Sequence, residues 1–448
     1  MPSLQFPLQE SLYAEHLSVL QRGYERVLEQ HGYACAVVLS GQPLRKSMAD
    51  DQYWPLRITP HFAHWLPLQS PGCALVVQAG QRPRLLWWQC ADFWEGPPEP
   101  ASLLWREHLT VETYTDAEHL LRQLPRPAAL WLGDDRELAT LGDPDPDAER
   151  RLRAVRDLDE LRVHKTPYEV ECLVHANARA AAGHQRVRLA FASGDCSELD
   201  LHLQYLLATS QDDPETPYKN IVALGHHAAT LHHVAYGKRP GQAQSLLLDA
   251  GATFLGYHAD ITRTWIKGDG AAADVFRALI DGVERLQLAL CDGATAGRNY
   301  QDLHDQAHLH IGVLLRDLGI VHSSAEESVA KEVTFALFPH GLGHSLGLQT
   351  HDVACARIRP RADNPYLRTT RLIEPGMALT VEPGVYFIDA LLQPLRHGPQ
   401  AALLNWPLLQ ALAPFGGVRI EDDLIIGSGP QGLRNLTREV LPQGGGAA

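Results

Sequence analysis

Apolar residues recur at helical spacing between residues 8 and 30. This spacing places them on one face of a helix; they are Leu12, Leu17, Leu20, Val27 and Leu28. The run from Ala34 to Leu39 follows and is almost continuously apolar, which is typical of a buried strand. The pattern therefore predicts that the chain opens as an α/β domain.

A long helix is predicted after the proline-rich segment Gly142 to Asp147, where neither a helix nor a central strand can continue. Thr166 is placed to cap the new helix, Pro167 fits its first position, and Glu169 can complete a capping box. An alanine-rich stretch then extends to about Ala192. The second domain is therefore expected to open close to this helix.

Two short strands in the second half of the chain each carry an aspartate. The segment Ser245 to Gly251 is a short apolar run with Asp249 at its end. In Tyr257 to Trp265, the alternation places Asp260 on a polar face. Two strands joined by a short loop can bring these carboxylates side by side, although a single Asp at a strand end is more often a cap or turn former than a ligand.

Two further strands add carboxylates. The apolar run Ala378 to Val381 leads to Glu382, and a Pro-Gly turn follows. Between Gly416 and Asp423, the period of two directs Arg419 and Glu421 to the same side. With a third and a fourth carboxylate on predicted strands, it becomes less favourable to interpret all four as residues that merely form turns.

A glycine-rich segment from Pro339 to Gly347 contains His340 and His344, and His351 follows it. One histidine there would more often be structural, but several histidines separated by glycines that allow close approach to a ligand are unusual in a core. One imidazole and four carboxylates can hold two divalent cations, with Mn²⁺, Co²⁺ or Fe²⁺ favoured over a thiolate-type zinc site. Two cations about 3.5 to 4 Å apart can hold a bridging hydroxide and polarise a carbonyl, which indicates amide hydrolysis.

Composition narrows the class of protein. A length of 448 residues favours two domains, which we place at residues 1–155 and 156–448. The formal net charge of -14 disfavours nucleic-acid binding, because that requires a basic surface. Neither a signal peptide nor a membrane span is predicted, so no membrane partner and a cytoplasmic location are expected.

Two features are interpreted as structural. The seven cysteines are scattered and never form a CxxC pair, so we expect reduced, mostly buried thiols. The glycine-rich residues 444–448 are expected to form a frayed tail.

Several segments resemble the pita-bread metallopeptidases, and within them the bacterial Xaa-Pro dipeptidases (prolidases) and organophosphorus acid anhydrolase. They are LLDAG, HADITRTW, FPHGLGHSLGLQTHD, LTVEPGVYFID, APFGGVRIEDD and the N-terminal LSGQPLRKSMADDQYWPLRITPHFAHWLP. The resemblance implies an α/β (α+β) chain. Its N-terminal α/β domain would serve dimerisation and cover the active site, and its C-terminal pita-bread catalytic domain would have a curved antiparallel sheet covered by helices.

The resemblance also implies a role for each candidate ligand. Asp249 would bind one cation, His344 and Glu382 the other, and Asp260 and Glu421 both. The resemblance implies that the cations are Mn²⁺, with Co²⁺, Fe²⁺ or Zn²⁺ as alternatives. A bridging hydroxide would attack the scissile carbonyl of an Xaa-Pro dipeptide, and Glu382 would shuttle the proton.

The remaining site residues are also implied by the resemblance. Those expected beside the reacting carbonyl are His340, His351 and Arg419. The C-terminal carboxylate of the substrate would contact Arg368 and His232, with His233 as the alternative to His232. Tyr218 and Tyr300 would line the pocket. In a homodimer, Asp51 from the other subunit would bind the substrate ammonium.

Each of these residues has a structural alternative. Arg368 could instead form a surface ion pair, and Asp51 could simply end a helix. The two tyrosines could be core aromatics whose hydroxyl is hydrogen-bonded. The function has alternatives as well. An Xaa-Pro aminopeptidase would cut longer peptides, and a non-catalytic pita-bread module would have lost its ligands, all five of which are present here. Slow promiscuous hydrolysis of organophosphate triesters is also expected.

Overall fold

The structure is a computed structural model, and it describes residues 10–89, 96, 103–142, 145, 147–354, 359–427 and 432–448. It divides into two compact units, unit 1 (Met1–Glu171) and unit 2 (Cys172–Ala448). The functional assignment of domains 1–155 and 156–448 stays a prediction.

Unit 1 combines one sheet with several helices. Its described elements are α1 (Glu10–His31), β1 (Cys35–Leu39), α2 (Pro60–Trp65), β2 (Ala74–Gln78), β3 (Arg84–Trp88), β4 (Thr110–Tyr114), α3 (Ala117–Arg122), β5 (Ala129–Leu132), α4 (Asp135–Leu141) and α5 (Ala148–Asp159). The strands lie in the order β4-β3-β2-β1-β5. The pairs β1–β5 and β3–β4 are parallel, and the others are antiparallel. The predicted opening helix and strand are confirmed, with Leu17, Leu20, Val27 and Leu28 all buried.

Helix α6 (Pro167–Ser193) begins as predicted. The Thr166 backbone N–H donates to Glu169 Oε2 at 2.8 Å, and the Glu169 N–H donates to Thr166 Oγ1 at 3.4 Å. These reciprocal bonds are a capping box, and they satisfy two backbone donors that the helix itself leaves without a partner.

Unit 2 contains the strands that carry the candidate ligands. After α6, its described elements are α7 (Glu198–Thr209), β6 (Ile221–Leu224), β7 (Ser245–Asp249), β8 (Thr253–Phe254), β9 (Tyr257–His258), β10 (Thr262–Ile266), α8 (Ala271–Gly293), α9 (Tyr300–Asp317), α10 (Ala325–Ala330), α11 (Val333–Leu337), β11 (Ala378–Val381), β12 (Gly384–Tyr386), α12 (Asp389–His397), α13 (Trp406–Leu412), β13 (Gly417–Arg419), β14 (Asp422–Ile425), β15 (Arg434–Asn435), α14 (Leu436–Val440) and β16 (Gly445–Ala447). The two larger sheets have the orders β16-β10-β7-β6 and β11-β14-β15. Val187 and Phe191 of α6 pack with Leu248 and Trp265 in the core.

The prediction of a frayed C-terminal tail is wrong. Strand β16 pairs in parallel with β10, and Gly445 lies opposite Thr264. The Gly444 N–H donates to Glu284 Oε1 at 2.6 Å. A Cβ atom on Gly445 would lie 2.2 Å from the Thr264 carbonyl oxygen. The missing side chain therefore allows the tail to approach the sheet closely, where glycine content alone had favoured disorder.

Two predictions about the whole chain can be compared with the structure. Cys35, Cys73, Cys172 and Cys291 are buried, Cys196 is half-buried, and all five are free. The interpretation as reduced, mostly buried thiols is confirmed for these five, while Cys90 and Cys355 lie outside the described residues. Among the helices that the structure describes, none is long and apolar enough to cross a bilayer.

Candidate metal centre

Strands β7 and β10 bring Asp249 and Asp260 together. They pair antiparallel with Asp249 opposite Thr262, and Asp260 lies just before β10. The Tyr218 hydroxyl is 2.7 Å from Asp249 Oδ1 and also contacts Asp260 Oδ1. Both carboxylates are buried. The structure therefore confirms that the two aspartates lie side by side, and it adds a tyrosine between them.

Glu421 lies at an interruption between β13 and β14. Its N–H donates to the Thr262 carbonyl at 3.1 Å, and the Thr262 hydroxyl donates to Glu421 Oε2 at 2.7 Å. Asp260 lies at a similar interruption between β9 and β10, where its N–H donates to Asp423 Oδ2 at 3.0 Å. Both interruptions fall within segments whose alternation had predicted continuous strands.

His344 faces the carboxylates with one ring nitrogen. Its Nδ1 lies 3.0 Å from the Ser345 carbonyl, and because a carbonyl only accepts, Nδ1 carries a proton. Its Nε2 lies 3.4 Å from Asp260 Oδ2, 3.9 Å from Glu382 Oε1 and 4.0 Å from Glu421 Oε1. Burial opposes charge on this ring, but Asp260 outweighs it and raises the pKa of His344 to about 9. The nitrogen that faces the carboxylates, Nε2, is therefore the one that could bind a cation.

Four carboxylates, those of Asp249, Asp260, Glu382 and Glu421, share this place with two basic side chains, Arg419 and His344. Burial raises the pKa of Glu421 well above its usual range, that of Glu382 to about 7, and that of Asp249 in the same direction. For Asp260, the bond and charge of His344 outweigh burial and lower the pKa. Divalent cations neutralise a set of buried carboxylates of this kind. The residues present therefore fit a metal centre.

Arg419 and His340 lie beside these carboxylates. Arg419 Nη2 donates to Asp249 Oδ2 at 2.6 Å, and its Nη1 donates to the Tyr386 hydroxyl at 2.9 Å. That hydroxyl lies 2.8 Å from His340 Nε2, while His340 Nδ1 lies 2.8 Å from the Gly341 carbonyl. Burial, followed by Arg419, lowers the pKa of His340 to about 3. A hydrogen-bonded chain therefore links Asp249 to His340.

His351, His232 and His233, which the sequence placed near the substrate, have different neighbours. His351 packs its ring against His344, with the ring centroids 4.4 Å apart. His232 is exposed, and its charge contributes to lowering the pKa of His340 after burial and Arg419. His233 Nε2 instead lies 2.9 Å from Glu198 Oε2. Of the two neighbouring histidines, His232 is therefore the one whose ring is not engaged by this carboxylate.

The structure distinguishes some of the alternatives. Tyr300 is fully buried and its hydroxyl donates to the Thr380 carbonyl at 2.7 Å, which favours a core aromatic. Arg368 is exposed, and no carboxylate among the described residues pairs with it. Asp51, in unit 1, lies in an irregular exposed segment between α1 and α2, so the alternative that it ends a helix is wrong.

Three polar residues at the site were not assigned a role from the sequence. Tyr386 joins Arg419 to His340, Thr262 holds Glu421, and Asp423 accepts the Asp260 N–H. Thr262 and Asp423 each follow a candidate ligand by two residues, and the period of a strand places such positions on the same face. That periodicity was the available signal. Tyr386 lies beyond the turn that follows Glu382, so this signal was not available for it.

Two other groups of histidines and carboxylates lie among the described residues. They have ligand atoms within 4.8 Å of one another, as Asp260, His344 and Glu421 do. One group lies in unit 1, and the other contains Glu198, the carboxylate bonded to His233. The members are His16, His64 and Glu169 in the first group, and Glu198, His227 and His233 in the second. They are distant along the chain, so no local motif predicts them.

Known proteins resemble the chain over nearly its full length. The description "Metallopeptidase family M24" applies to the match over residues 171–428, and "Xaa-Pro dipeptidase, N-terminal domain" to the match over residues 11–148. An Xaa-Pro dipeptidase of Marinobacter nauticus is 41% identical over 437 residues, which are 96% of this chain and 98% of that protein. An Xaa-Pro dipeptidase of Xanthomonas euvesicatoria pv. vesicatoria is 39% identical, with 97% and 99% covered.

Solved structures show the fold. Aminopeptidase P from E. coli with the inhibitor Pro-Leu has a TM-score of 0.72 at 22% identity, over 97% of this chain and 96% of that one. Proline aminopeptidase P II from Yersinia pestis has a TM-score of 0.72 at 22% identity, over 98% of each chain. The predicted α/β class, with an N-terminal domain and a C-terminal pita-bread domain, is confirmed. With its family match and its full-length relatives, the chain belongs to metallopeptidase family M24, in the Xaa-Pro dipeptidase family.

Proposed function

We propose that the chain is a metal-dependent dipeptidase that hydrolyses Xaa-Pro dipeptides to an amino acid and proline. The observation that carries the proposal is the convergence of oxygens from Asp260, Glu382 and Glu421 on His344 Nε2, in a place where buried negative charge is in excess. The substrate class is supported by the Xaa-Pro dipeptidases that are 41% and 39% identical to the chain.

Two divalent cations would be held by Asp249, Asp260, His344, Glu382 and Glu421. When bound, the cations would supply Lewis acidity toward the scissile carbonyl and lower the pKa of water. The oxygen-rich donor set favours Mn²⁺, with Co²⁺, Fe²⁺ and Zn²⁺ as alternatives.

Proton transfer is assigned to Glu382. Its side chain is half-buried, and its Oε2 lies 3.8 Å from His340 Nδ1. The carboxylate would accept a proton and pass it to the leaving nitrogen of proline. Tyr386 and the Gly341 carbonyl hold the His340 ring, which would lie beside the scissile carbonyl. His351 and Arg419 would complete the surroundings of the reacting group.

Recognition of a dipeptide requires groups for its two charged ends. The exposed side chains of His232 and Arg368 would bind the C-terminal carboxylate by charge-assisted hydrogen bonds. Tyr218 would line the pocket beside Asp249 and Asp260, and Tyr300 would support it from the core. A homodimer in the cytoplasm, in which the partner's Asp51 binds the substrate ammonium, completes the proposal.

The alternative function is an Xaa-Pro aminopeptidase that cuts longer peptides. The assay compares Ala-Pro with Ala-Pro-Ala-Ala on purified protein supplied with Mn²⁺, with chelator-treated protein as the control. We expect faster cleavage of Ala-Pro, because His232 and Arg368 would bind a carboxylate that the longer peptide carries too far away. Faster cleavage of the tetrapeptide would overturn the choice. Slow hydrolysis of paraoxon is expected in the same preparation, and an inert sample would refute that promiscuous activity.

A further inference from the structure

Glu198 lies in the first turn of α7 and its side chain is buried, with 2% of the residue exposed. Its two carboxylate oxygens together accept four hydrogen bonds from donors in residues 224–237, which run from the last residue of β6 into the connection to β7. Oε1 accepts from Leu224 N at 3.0 Å and His227 Nδ1 at 2.6 Å, and Oε2 accepts from Gly237 N at 2.7 Å and His233 Nε2 at 2.9 Å. One buried carboxylate therefore holds this segment at four points.

The segment has little regular structure of its own. A short 3₁₀ turn, Gly225–Ala229, follows β6. The Thr230 N–H then donates to the His227 carbonyl at 2.9 Å, and the His233 N–H donates to the Thr230 carbonyl at 3.1 Å. The rings of His227 and His233 stack with centroids 4.5 Å apart. His227 and His233 form these backbone hydrogen bonds with Thr230, and the side chains of both are bonded to Glu198.

His232 lies between these fixed points. Its neighbour His233 is held by Glu198, while its own side chain is exposed. The position of the His232 ring therefore depends on a backbone that a remote carboxylate orders.

A metal ion bound by Glu198, His227 and His233 is the competing explanation of this group, because their ligand atoms lie within 4.8 Å of one another. A carboxylate has about four lone-pair positions, and all four here accept hydrogen bonds, two of them from backbone N–H groups. A metal ion would have to displace donors that already satisfy the carboxylate. The hydrogen-bonded arrangement thus favours an anchor over a metal site.

We propose that Glu198 is a positioning residue for substrate binding, which orders residues 224–237 so that His232 meets the C-terminal carboxylate of the dipeptide. The inference rests on the proposed function, because it uses the assigned role of His232. A group that positions a carboxylate contact made equally in the ground and transition states affects KM more than kcat.

The test replaces Glu198 by glutamine, whose amide nitrogen cannot accept a hydrogen bond. In Glu198→Gln we expect KM for Ala-Pro to rise about tenfold or more, from the loss of a bond to a charged group, and kcat to change less than about threefold. Ala-prolinamide lacks the carboxylate, so its KM should be unchanged. Amide hydrogen exchange at Leu224 and Gly237 should become faster. The matched control is Asp200→Asn, which alters an exposed carboxylate of the same helical turn that bonds only Ser197.

A second set of variants tests the route through His232. Adding Glu198→Gln to His232→Ala should cause no further rise in KM for Ala-Pro, because both changes remove the same contact. If Glu198→Gln does not fold, His233→Gln and His233→Leu carry the test. The glutamine can still donate to Glu198 and should keep KM within about threefold, whereas the leucine should raise it about tenfold.

Equal rises in KM for Ala-Pro and Ala-prolinamide would overturn the inference, as would faster exchange at Leu224 with an unchanged KM. Wild-type activity on Ala-Pro, with Glu198→Gln behaving like Asp200→Asn, would overturn the inference and leave the proposed function intact. A manganese-loaded wild type without activity on Ala-Pro would overturn the proposed function and the inference with it.

Discussion

Two buried groups of histidines and carboxylates, one in each unit, have nearly the same chemistry and different surroundings. In both, the ligand atoms lie within 4.8 Å of one another and every member is buried. The unit 1 group is His16, His64 and Glu169, and the unit 2 group is Asp260, His344 and Glu421. Residue type and proximity therefore do not distinguish a structural link from a candidate metal centre.

The first difference is between the ring nitrogens of His16 and those of His344. His16 Nε2 lies 2.7 Å from the His64 carbonyl, and its Nδ1 lies 2.8 Å from Thr166 Oγ1. Because the carbonyl only accepts, Nε2 donates, and Nδ1 of the neutral ring accepts from the hydroxyl. Both nitrogens of His16 are thus satisfied by the protein. His344 uses one nitrogen for a carbonyl and turns the other toward carboxylates.

The second difference is in charge. Glu169 is the single carboxylate of its group. Burial alone would raise its pKa, but His64, His16 and Lys165 lower it below its usual range. Around His344, burial instead raises the pKa of Glu382 and Glu421. An imidazole nitrogen faces a carboxylate in both groups, since His64 Nε2 lies 3.4 Å from Glu169 Oε1. What distinguishes the candidate metal centre is the number of carboxylates, because three of them surround His344 Nε2 while Glu169 is alone in its group.

The largest expected effect is from Asp260→Asn. It should reduce bound metal and lower kcat/KM for Ala-Pro by more than about 100-fold, since even the loss of outer partners of metal ligands costs about 10- to 100-fold. Metal content and initial rates are measured on the same preparations. Glu169→Gln is the matched control and should retain metal and activity in the folded fraction. Equal loss of metal in the two variants would remove the distinction between the groups.

Glu169→Gln should instead act on stability. Removing the charge from a buried, hydrogen-bonded carboxylate is expected to lower the free energy of unfolding by about 2 to 4 kcal/mol. Denaturant unfolding measures the change. Glu149→Gln, at a carboxylate that is 89% exposed in the same unit, should cost less than about 0.5 kcal/mol. Similar values for the two variants would contradict the structural role of Glu169.

A smaller effect should appear in the pH dependence of stability. Burial lowers the pKa of His64 to about 4, and Glu169 offsets this only in part. As pH falls below about 6.5, His64 is therefore protonated in the unfolded chain before it is protonated in the folded one. The folded state is stabilised fully above that pH, and this part of the free energy of unfolding is lost between about pH 6.5 and pH 4. The loss between pH 6.5 and 5 should be about 2 kcal/mol. His64→Asn should flatten this slope and the exposed control His119→Asn should not, which unfolding at several pH values would measure.

Local patterns predicted much of the fold and of the site. The apolar period of α1, the capping box of α6, and the strands that lead to Asp249 and Glu382 were all readable from neighbouring residues. Strand β16 was not, because its partner β10 lies far away along the chain and five glycine and alanine residues carry no pattern of their own. The interruptions at Asp260 and Glu421 also depend on partners from distant strands.

The sequence by itself determined which residues are candidates for the chemistry, because a carboxylate beside an apolar strand is a local feature and was repeated four times. Only the tertiary structure decided their charge balance, the raised pKa of His344 and the lowered pKa of Glu169. It also decided that Glu198 holds the segment around His232. The physical reason is that hydrogen bonds and pKa values depend on distances between side chains, and in these groups the partners come from separate parts of the chain.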